Sequence, residues 1–318
     1  MNKIICIVLT LILLFSFAGC KEAKKTGTGI MNEIGGLDIN AVDTVNNAYV
    51  TTKKALGSAT ALGFNTEVTL TVTAEGKTVK SVGGSELRFL KGDILKAYNK
   101  TLVKNDAVDS TSYFYTDGTI VYGATAGKTY NITTGYETNK YFNDLLKGVV
   151  VYDSSFVTPV NTKIVNASGG GYGFVAIYPV DKMAGDFDSI IGKHLSNFGN
   201  IVAKGLKVSG IINSDGRLKT QTVTYDFTYE YTVEANDVDP DNSEATPTVV
   251  TKTADASLSV LFEYDYGVTD VNKGANIVIP SSEEEPLKNM TLADFQLLAT
   301  LAGSTDAEDS STSSSTVK

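Results

Sequence analysis

The chain offers few side chains that could perform acid–base or nucleophilic chemistry. His194 is its only histidine, and a Ser-His-Asp triad needs a nucleophile within reach of that ring and a carboxylate that orients it. The Gly-x-Ser-x-Gly turn that presents a hydrolase serine is absent from the sequence. His194 falls on the apolar stripe of a predicted helix, which favours packing over catalysis. We therefore expect no catalytic residue and no enzyme activity; hydrolysis with His194 as the base is the weakest alternative.

Two segments have the composition of ligand-binding loops but the wrong order of residues. The acidic loop 237–241 spaces three aspartates like the start of an EF-hand, yet Asn242 stands where that loop needs glycine and Thr248 where it needs glutamate. The glycine-rich stretch 168–173 precedes a predicted strand, whereas a phosphate-binding loop follows a strand and opens a helix. No set of His and Cys residues has the spacing of a zinc site. The sequence therefore predicts no bound metal and no cofactor.

Two rows of alternating aromatic residues are the feature that most suggests binding. The segments 222–233 and 258–266 each place rings on one face of a strand. These rows can be ordinary core beneath helices. They can also line a cavity for an apolar or amphiphilic ligand, since Tyr and Phe combine large apolar area with polar handles. The candidate lining residues, four of them from a neighbouring predicted helix, are Tyr225, Phe227, Tyr229, Tyr231, Phe262, Tyr264, Phe187, Ile191, Leu195 and Phe198.

The elements that must position these rows can be located from hydrophobic periodicity. Helical spacing predicts one helix over 38–57 and another over 187–202. A third predicted helix, 291–303, begins at a capping box formed by Thr291 and Asp294. Strand or hairpin patterns are found at 68–74, 86–90, 95–103, 113–122, 128–133, 171–178, 206–212, 222–233 and 258–266.

The first twenty residues carry a signal for export and anchoring. An apolar run from Ile4 to Phe17 follows Lys3; it is too short for a membrane span of roughly 20 residues but fits the h-region of a signal peptide. The run ends in Phe17-Ala18-Gly19-Cys20, which resembles the bacterial lipobox, whose cysteine is diacylated and becomes the first residue. Phe17 departs from the usual leucine of that motif. The alternative is a plain secretory signal in which Cys20 is incidental.

Charge and cysteine content limit which partners the mature chain can bind and which bonds can stabilise it. The whole sequence has 27 basic and 36 acidic residues, a net charge of −9. Because Lys3 is the only charge before Cys20, the mature chain carries −10, which argues against a nucleic-acid partner. Loss of Cys6 with the signal leaves Cys20 no cysteine to pair with, so stability must come from a core. Acyl chains on Cys20 would give stable attachment to the extracytoplasmic face of the cell membrane.

The order of these elements resembles the LolA/LppX-like half-barrel lipoproteins, including small uncharacterised Gram-positive bacterial lipoproteins. The residues that carry the resemblance are Tyr113–Tyr122 around Asp117-Gly118, Asp215–Leu218, and Asn276–Pro280, and it covers roughly 38–280. It implies an α+β fold: a curved antiparallel β-sheet, or half-barrel, with helices packed on its concave face and a site there for lipid or lipoprotein acyl chains. No ligand residue of that family maps onto this sequence one to one.

The domain organisation that follows has six parts. They are a lipoprotein signal peptide (1–19), a lipidated flexible tether (20–37), a single α+β half-barrel domain (38–280), an acidic linker (281–290), a short C-terminal helix (291–303) and a disordered Ser/Thr-rich tail (304–318). We expect a membrane-anchored lipoprotein that binds or carries lipid or another hydrophobic ligand. The alternative is a structural or adhesive surface module with a filled core. The C-terminal helix either docks on the body or recruits a partner.

Overall fold

The computed structural model describes residues 39–104, 109–116, 118, 120–133, 146–155, 157–167, 170–180, 200–235, 248–271 and 288–301. Several predicted features lie outside these residues: the signal peptide, the tether with Cys20, the helical segment 187–199 with His194, the acidic loop 237–241, Asn276–Pro280, most of the acidic linker, and the tail. Across the described ranges, no helix is long and apolar enough to cross a membrane.

Within the described residues, twelve strands form one large, open, curved sheet. The strands are β1 Ala61–Ala74, β2 Lys77–Lys91, β3 Leu95–Lys104, β4 Asp109–Thr116, β5 Val121–Thr125, β6 Lys128–Thr133, β7 Asn161–Asn166, β8 Tyr172–Tyr178, β9 Ile201–Ile212, β10 Leu218–Ala235, β11 Thr248–Asp265 and β12 Asn289–Thr291. Their order across the sheet is β12-β6-β5-β4-β3-β2-β1-β11-β10-β9-β8-β7. Neighbours pair antiparallel except β12, which is parallel to β6. The predicted curved antiparallel sheet with a half-barrel shape is confirmed.

The two aromatic rows lie side by side on one face of this sheet. On β10, Tyr225, Phe227 and Tyr229 are buried while Asp226 and Glu230 are exposed, which is the predicted alternation. The register places Val223 of β10 opposite Val260 of β11, and Val260 opposite Val68 of β1. Because residues that face each other across an antiparallel pair share a face of the sheet, the apolar rows of three strands merge into one surface.

Two described helices pack on the face that holds these rows, which we call the helix-bearing face. Helix α1, Ile39–Ser58, matches the predicted 38–57 and buries Tyr49, whose ring meets Phe174 of β8 edge-on at 6.5 Å. Helix α2, Leu292–Leu301, buries Phe295 against Phe114 of β4 at a ring separation of 4.8 Å. Buried aromatic contacts thus fix both helices to the sheet.

Helix α2 begins at the predicted capping box and docks on the body. The Asp294 backbone N–H donates to Thr291 Oγ1 at 3.1 Å, and the Thr291 hydroxyl donates to Asp294 Oδ2 at 2.6 Å. These bonds satisfy an N–H group that the helix itself leaves without a partner. Of the two roles that the sequence left open for this helix, docking is the one that its contacts show.

The helix predicted over 187–202 was wrong at its C-terminal end. Ile201 and Val202 belong to β9, where Ile201 lies opposite Tyr229 of β10. A short apolar stretch with β-branched residues fits both the helical and the strand period. Here the pairing with β10 makes it part of a strand. Further strand segments were not predicted: β7, β12, the first half of β1, and the first half of β2, which continues from β1 through a turn at Glu75-Gly76. Both turn residues have positive φ, 52° and 74°, as a type I′ hairpin requires.

Candidate functional site

A pocket of about 400 Å³ opens on the helix-bearing face, at the C-terminal end of α1. Its volume lies within the range of roughly 300–1,000 Å³ that small-molecule sites occupy. The start of β1, the end of β2 and the segment 146–151 complete the walls. The lining residues are Lys53, Leu56, Gly57, Leu62, Phe89, Lys91, Leu146, Lys147, Val149, Val150 and Val151.

The floor of the pocket is apolar because it is continuous with the core. Leu62 of β1 and Phe89 of β2 lie opposite each other in the antiparallel register, and both are buried. Leu56, from the last turn of α1, packs against the same core cluster, as do Val149 and Val150. An apolar ligand placed here would therefore contact side chains that already exclude water.

The wall formed by 146–151 is held in place by two residues of the central strands. Gln221 of β10, fully buried, accepts a hydrogen bond from the Tyr152 backbone N–H at 2.9 Å and donates one to the Tyr152 carbonyl at 2.7 Å. The Tyr264 hydroxyl donates to the Val150 carbonyl at 2.9 Å. Burial raises the pKa of Tyr264 well above its ordinary value, so this hydroxyl stays protonated and able to donate.

A buried hydroxyl cluster ties the same segment to α1 and to β8. The Ser154 hydroxyl donates to Tyr178 Oη at 2.6 Å and lies 3.2 Å from Tyr49 Oη. Burial is the main cause that raises the pKa of both tyrosines, so both rings stay neutral at physiological pH. The segment is thus fixed from two sides, which gives the pocket a preformed wall.

Three lysines surround the apolar floor. Lys53 forms an ion pair with Asp153, and Lys91 places its Nζ 5.1 Å from the centroid of the Phe89 ring; Lys147 is the third. Burial acts to raise the pKa of Asp153, but hydrogen bonds from Lys53 and from Ser155 outweigh it and hold that pKa below its ordinary value. The carboxylate therefore stays charged at neutral pH, and the pocket combines an apolar floor with a cationic rim.

The aromatic residues predicted to line a cavity form a continuous buried cluster. Tyr225, Phe227, Tyr229, Phe262 and Tyr264 are all at most 5% exposed, and the rings of Tyr225 and Phe227 stack at 5.2 Å. Tyr231 is half-buried and packs against the same cluster. The four helical residues of that prediction, Phe187, Ile191, Leu195 and Phe198, lie outside the described residues. The cavity between these two sets of side chains stays a prediction.

None of the described residues in that prediction lines the 400 Å³ pocket, which sequence reasoning missed. Its walls come from three segments far apart in the chain, and each segment has an ordinary composition. One signal was available: Gln221 occupies an inward position on β10, two residues before Val223. A polar residue in an apolar row needs a buried hydrogen-bond partner, which here is the segment that forms the pocket wall.

Comparisons with known proteins give structural likenesses only. The sequence matches no protein-family model, and it matches no curated protein. The structure is similar to that of LprF from Mycobacterium bovis, with a TM-score of 0.32 and 11% identity, over 78% of this chain and 99% of that one. It is similar to a DUF1329 family protein from Desulfovibrio piger, with a TM-score of 0.22 and 9% identity, over 74% of this chain and 98% of that one.

A third similar structure is an outer membrane lipoprotein-sorting protein domain from Vibrio parahaemolyticus. Its TM-score is 0.21 at 8% identity, over 74% of this chain and 97% of that one. A lipoprotein-sorting domain is thus among the similar structures, as the resemblance to LolA/LppX-like proteins predicted.

Proposed function

We propose that this chain is an exported lipoprotein, tethered to the extracytoplasmic face of a membrane through acylated Cys20, that binds or carries an apolar or amphiphilic ligand. The ligand lies between the sheet and the helices, which cover the concave face of the half-barrel. The observation that supports this most directly is the preformed pocket of about 400 Å³ with an apolar floor. A well-formed apolar pocket with a few polar groups is the default hypothesis for a ligand site.

The apolar floor can supply useful binding free energy for an acyl chain. Each methylene group moved from water into such an environment contributes about 0.8 kcal/mol. Eight methylene groups would therefore contribute roughly 6 kcal/mol, from which the cost of ordering the ligand must be subtracted. A dissociation constant of 1 μM needs about 8 kcal/mol and one of 1 mM about 4 kcal/mol, so an acyl chain of this length alone binds more weakly than micromolar. Weak binding suits a carrier that must also release its ligand.

The proposed tether is long enough to bring the pocket to the membrane. Helix α1 has 20 residues, so its C-terminal end, where the pocket opens, lies about 30 Å from its N-terminal end, where the tether joins. A segment such as 20–37 extends to at most roughly 60 Å and has a root-mean-square span of roughly 20–25 Å when flexible. The pocket can therefore face the bilayer to which Cys20 is attached.

Gly57 gives a way to close the pocket without disturbing the fold. It lines the pocket, and a Cβ added there meets no atom within 4 Å. We expect Gly57→Trp to weaken binding of a fluorescent fatty acid at least tenfold, because the indole occupies the ligand's space. Gly57→Ala is the matched control and should bind like the parent. All three proteins comprise the full chain from residue 20 and carry Cys20→Ser. Equal binding by the parent, Gly57→Trp and Gly57→Ala, or no binding by the parent, would contradict the proposal.

The proposed anchor has a separate test. Cells that express the chain are grown with an alkyne-labelled palmitate, and the purified protein is examined for label. The parent should carry it and Cys20→Ala should not, because no other cysteine remains after the signal is removed. Label on Cys20→Ala, or none on the parent, contradicts the anchor without bearing on the pocket.

A structural or adhesive surface module is the second candidate function. The mutual packing of Tyr225, Phe227 and Tyr229 favours it, since rings that fill their own space need no ligand. This candidate predicts that the chain purifies without lipid and takes up no fatty acid at any concentration below that of micelle formation.

A further inference from the structure

We propose that the pocket selects amphiphiles with an anionic headgroup, with the acyl chain on the apolar floor and the headgroup among Lys53, Lys91 and Lys147. The inference rests on the proposed function and names the chemical class of its ligand. Carboxylates and phosphates share the required chemistry, which is a compact negative charge on an apolar chain.

The charge around the pocket is opposite to that of the chain as a whole. The chain carries a net −9, yet its described lining residues include three lysines and no acidic residue. The carboxylate of Asp153 pairs with Lys53 and is also held by the backbone and hydroxyl of Ser155, so this ion pair leaves Lys91 and Lys147 to make the pocket cationic. A concave site with charge of one sign and low-dielectric walls concentrates ligands of the opposite sign.

The lysine side chains can serve both ends of such a ligand. Lysine stems lie along apolar surface while their ammonium groups reach water, and Lys91, whose Nζ lies over the Phe89 ring, has this placement. An ammonium group binds carboxylate or phosphate as a point charge, with no fixed geometry for the headgroup. The rim would therefore accept several anionic headgroups while rejecting cationic ones.

Hydrogen bonds at the end of α1 reduce the repulsion that it would exert on an anion. Helix C-termini expose carbonyl groups that repel negative charge, but here some of those carbonyls have donors. The Ser58 hydroxyl donates to the Lys54 carbonyl at 3.1 Å and lies 3.4 Å from that of Ala55, and the Ala59 N–H donates to the Leu56 carbonyl at 3.3 Å. The positive charge at the mouth beyond the Lys53–Asp153 ion pair then comes from Lys91 and Lys147.

The test compares three ligands of one chain length: a fatty acid, the corresponding monoacylglycerol, and the corresponding alkyltrimethylammonium. Binding is measured below the micelle concentration on the full chain from residue 20 with Cys20→Ser. We expect the fatty acid to bind at least tenfold more tightly than the neutral ligand, the cation to bind most weakly, and the preference to shrink as salt is added. Inorganic phosphate should fail to displace the fatty acid, because it lacks the acyl chain.

Substitutions of the pocket lysines test whether these residues cause the preference for an anionic headgroup. Lys91→Gln combined with Lys147→Gln should bring the ratio of fatty-acid to monoacylglycerol affinity below threefold. A far-ultraviolet circular dichroism spectrum like that of the parent shows that the variant is folded. Lys91→Glu with Lys147→Glu should favour the cationic ligand. Lys204→Gln, a surface lysine paired with Asp255 on the sheet, is the control and should keep the parent's ratio.

The outcomes separate this inference from the function on which it rests. Equal affinity of the parent for the charged and neutral ligands overturns headgroup selection and leaves ligand binding intact. A preference that survives in the double variant places the recognition elsewhere and also overturns the inference. Failure of all three ligands to bind overturns both.

Discussion

Truncation of Phe295 should cost the chain about 3–5 kcal/mol of its unfolding free energy. The side chain is fully buried, and its ring lies 4.8 Å from Phe114 and 6.1 Å from Tyr130, edge-on to both. Burial of such a ring contributes about 1.5–3 kcal/mol, and each aromatic pair adds about 0.5–1.5 kcal/mol. The site cannot close over the gap easily, so Phe295→Ala falls in the usual range for phenylalanine truncation.

Gly123 of β5 shows how closely this ring is packed. A Cβ at Gly123 would lie 2.8 Å from Phe295 Cε2 and 2.9 Å from Ile132 Cδ1, so the ring occupies the space that a side chain would take. Phe295→Ala therefore leaves a buried cavity against the sheet and not a depression open to solvent. The loss should appear as a lower urea midpoint with an unchanged m-value, since the same surface is exposed on unfolding.

The assay is urea unfolding followed by far-ultraviolet circular dichroism. Leu297→Ala is the control on the same helix, because Leu297 is 61% exposed, and it should change the unfolding free energy by less than about 0.5 kcal/mol. A loss of under about 1 kcal/mol for Phe295→Ala would refute the docked position of α2, and with it the contacts that join the C-terminal helix to the sheet.

Three further predictions concern the pocket wall, one hairpin and one ion pair. Gln221→Met removes both hydrogen bonds to Tyr152 and should destabilise the chain by about 2–4 kcal/mol in urea unfolding. A loss below about 1 kcal/mol would contradict the role of Gln221 in holding the pocket wall. Ala126 has a φ of 48°, a conformation that suits asparagine better, so Ala126→Asn should raise stability by about 0.5–1 kcal/mol rather than lower it. The pKa of Asp153 is lowered by folding, so its contribution is present above about pH 4 and is lost as the pH falls further. The destabilisation caused by Asp153→Asn is at most about 1 kcal/mol because Lys53 is half exposed. It should shrink as the pH falls below about 4; a constant difference across pH argues against the ion pair.

The parts of the fold that could be predicted from sequence are those with a strong local period. The row from Val223 to Val233 alternates without exception, so both its strand and its buried face were identified. Helix α1 was found in the same way from its 3.6-residue period. By contrast, β2 contains Gly83 and Gly84, which lie opposite Val68 and Glu67 of β1, and glycine gives no apolar period to recognise.

Contacts between distant segments account for what the sequence could not show. Ile201 and Val202 fit the helical stripe before them as well as the strand after them, and only pairing with β10 decides between the two. The pocket depends on the approach of 146–151 to the ends of α1 and β2, which no single segment encodes. The lysines of its rim are unremarkable in sequence, since each is a common surface residue until the fold brings them together.

Photo-cross-linking tests the central claim most directly, because it asks where an acyl chain lies on the protein. The full chain from residue 20 with Cys20→Ser is illuminated with a diazirine fatty acid below its micelle concentration, and labelled peptides are identified by mass spectrometry. We predict saturable labelling of the peptides that contain Leu56 to Leu62, Phe89 and Leu146 to Val151, suppressed by unlabelled fatty acid and by Gly57→Trp. Absence of saturable labelling, or labelling confined to peptides away from this pocket, would contradict the account.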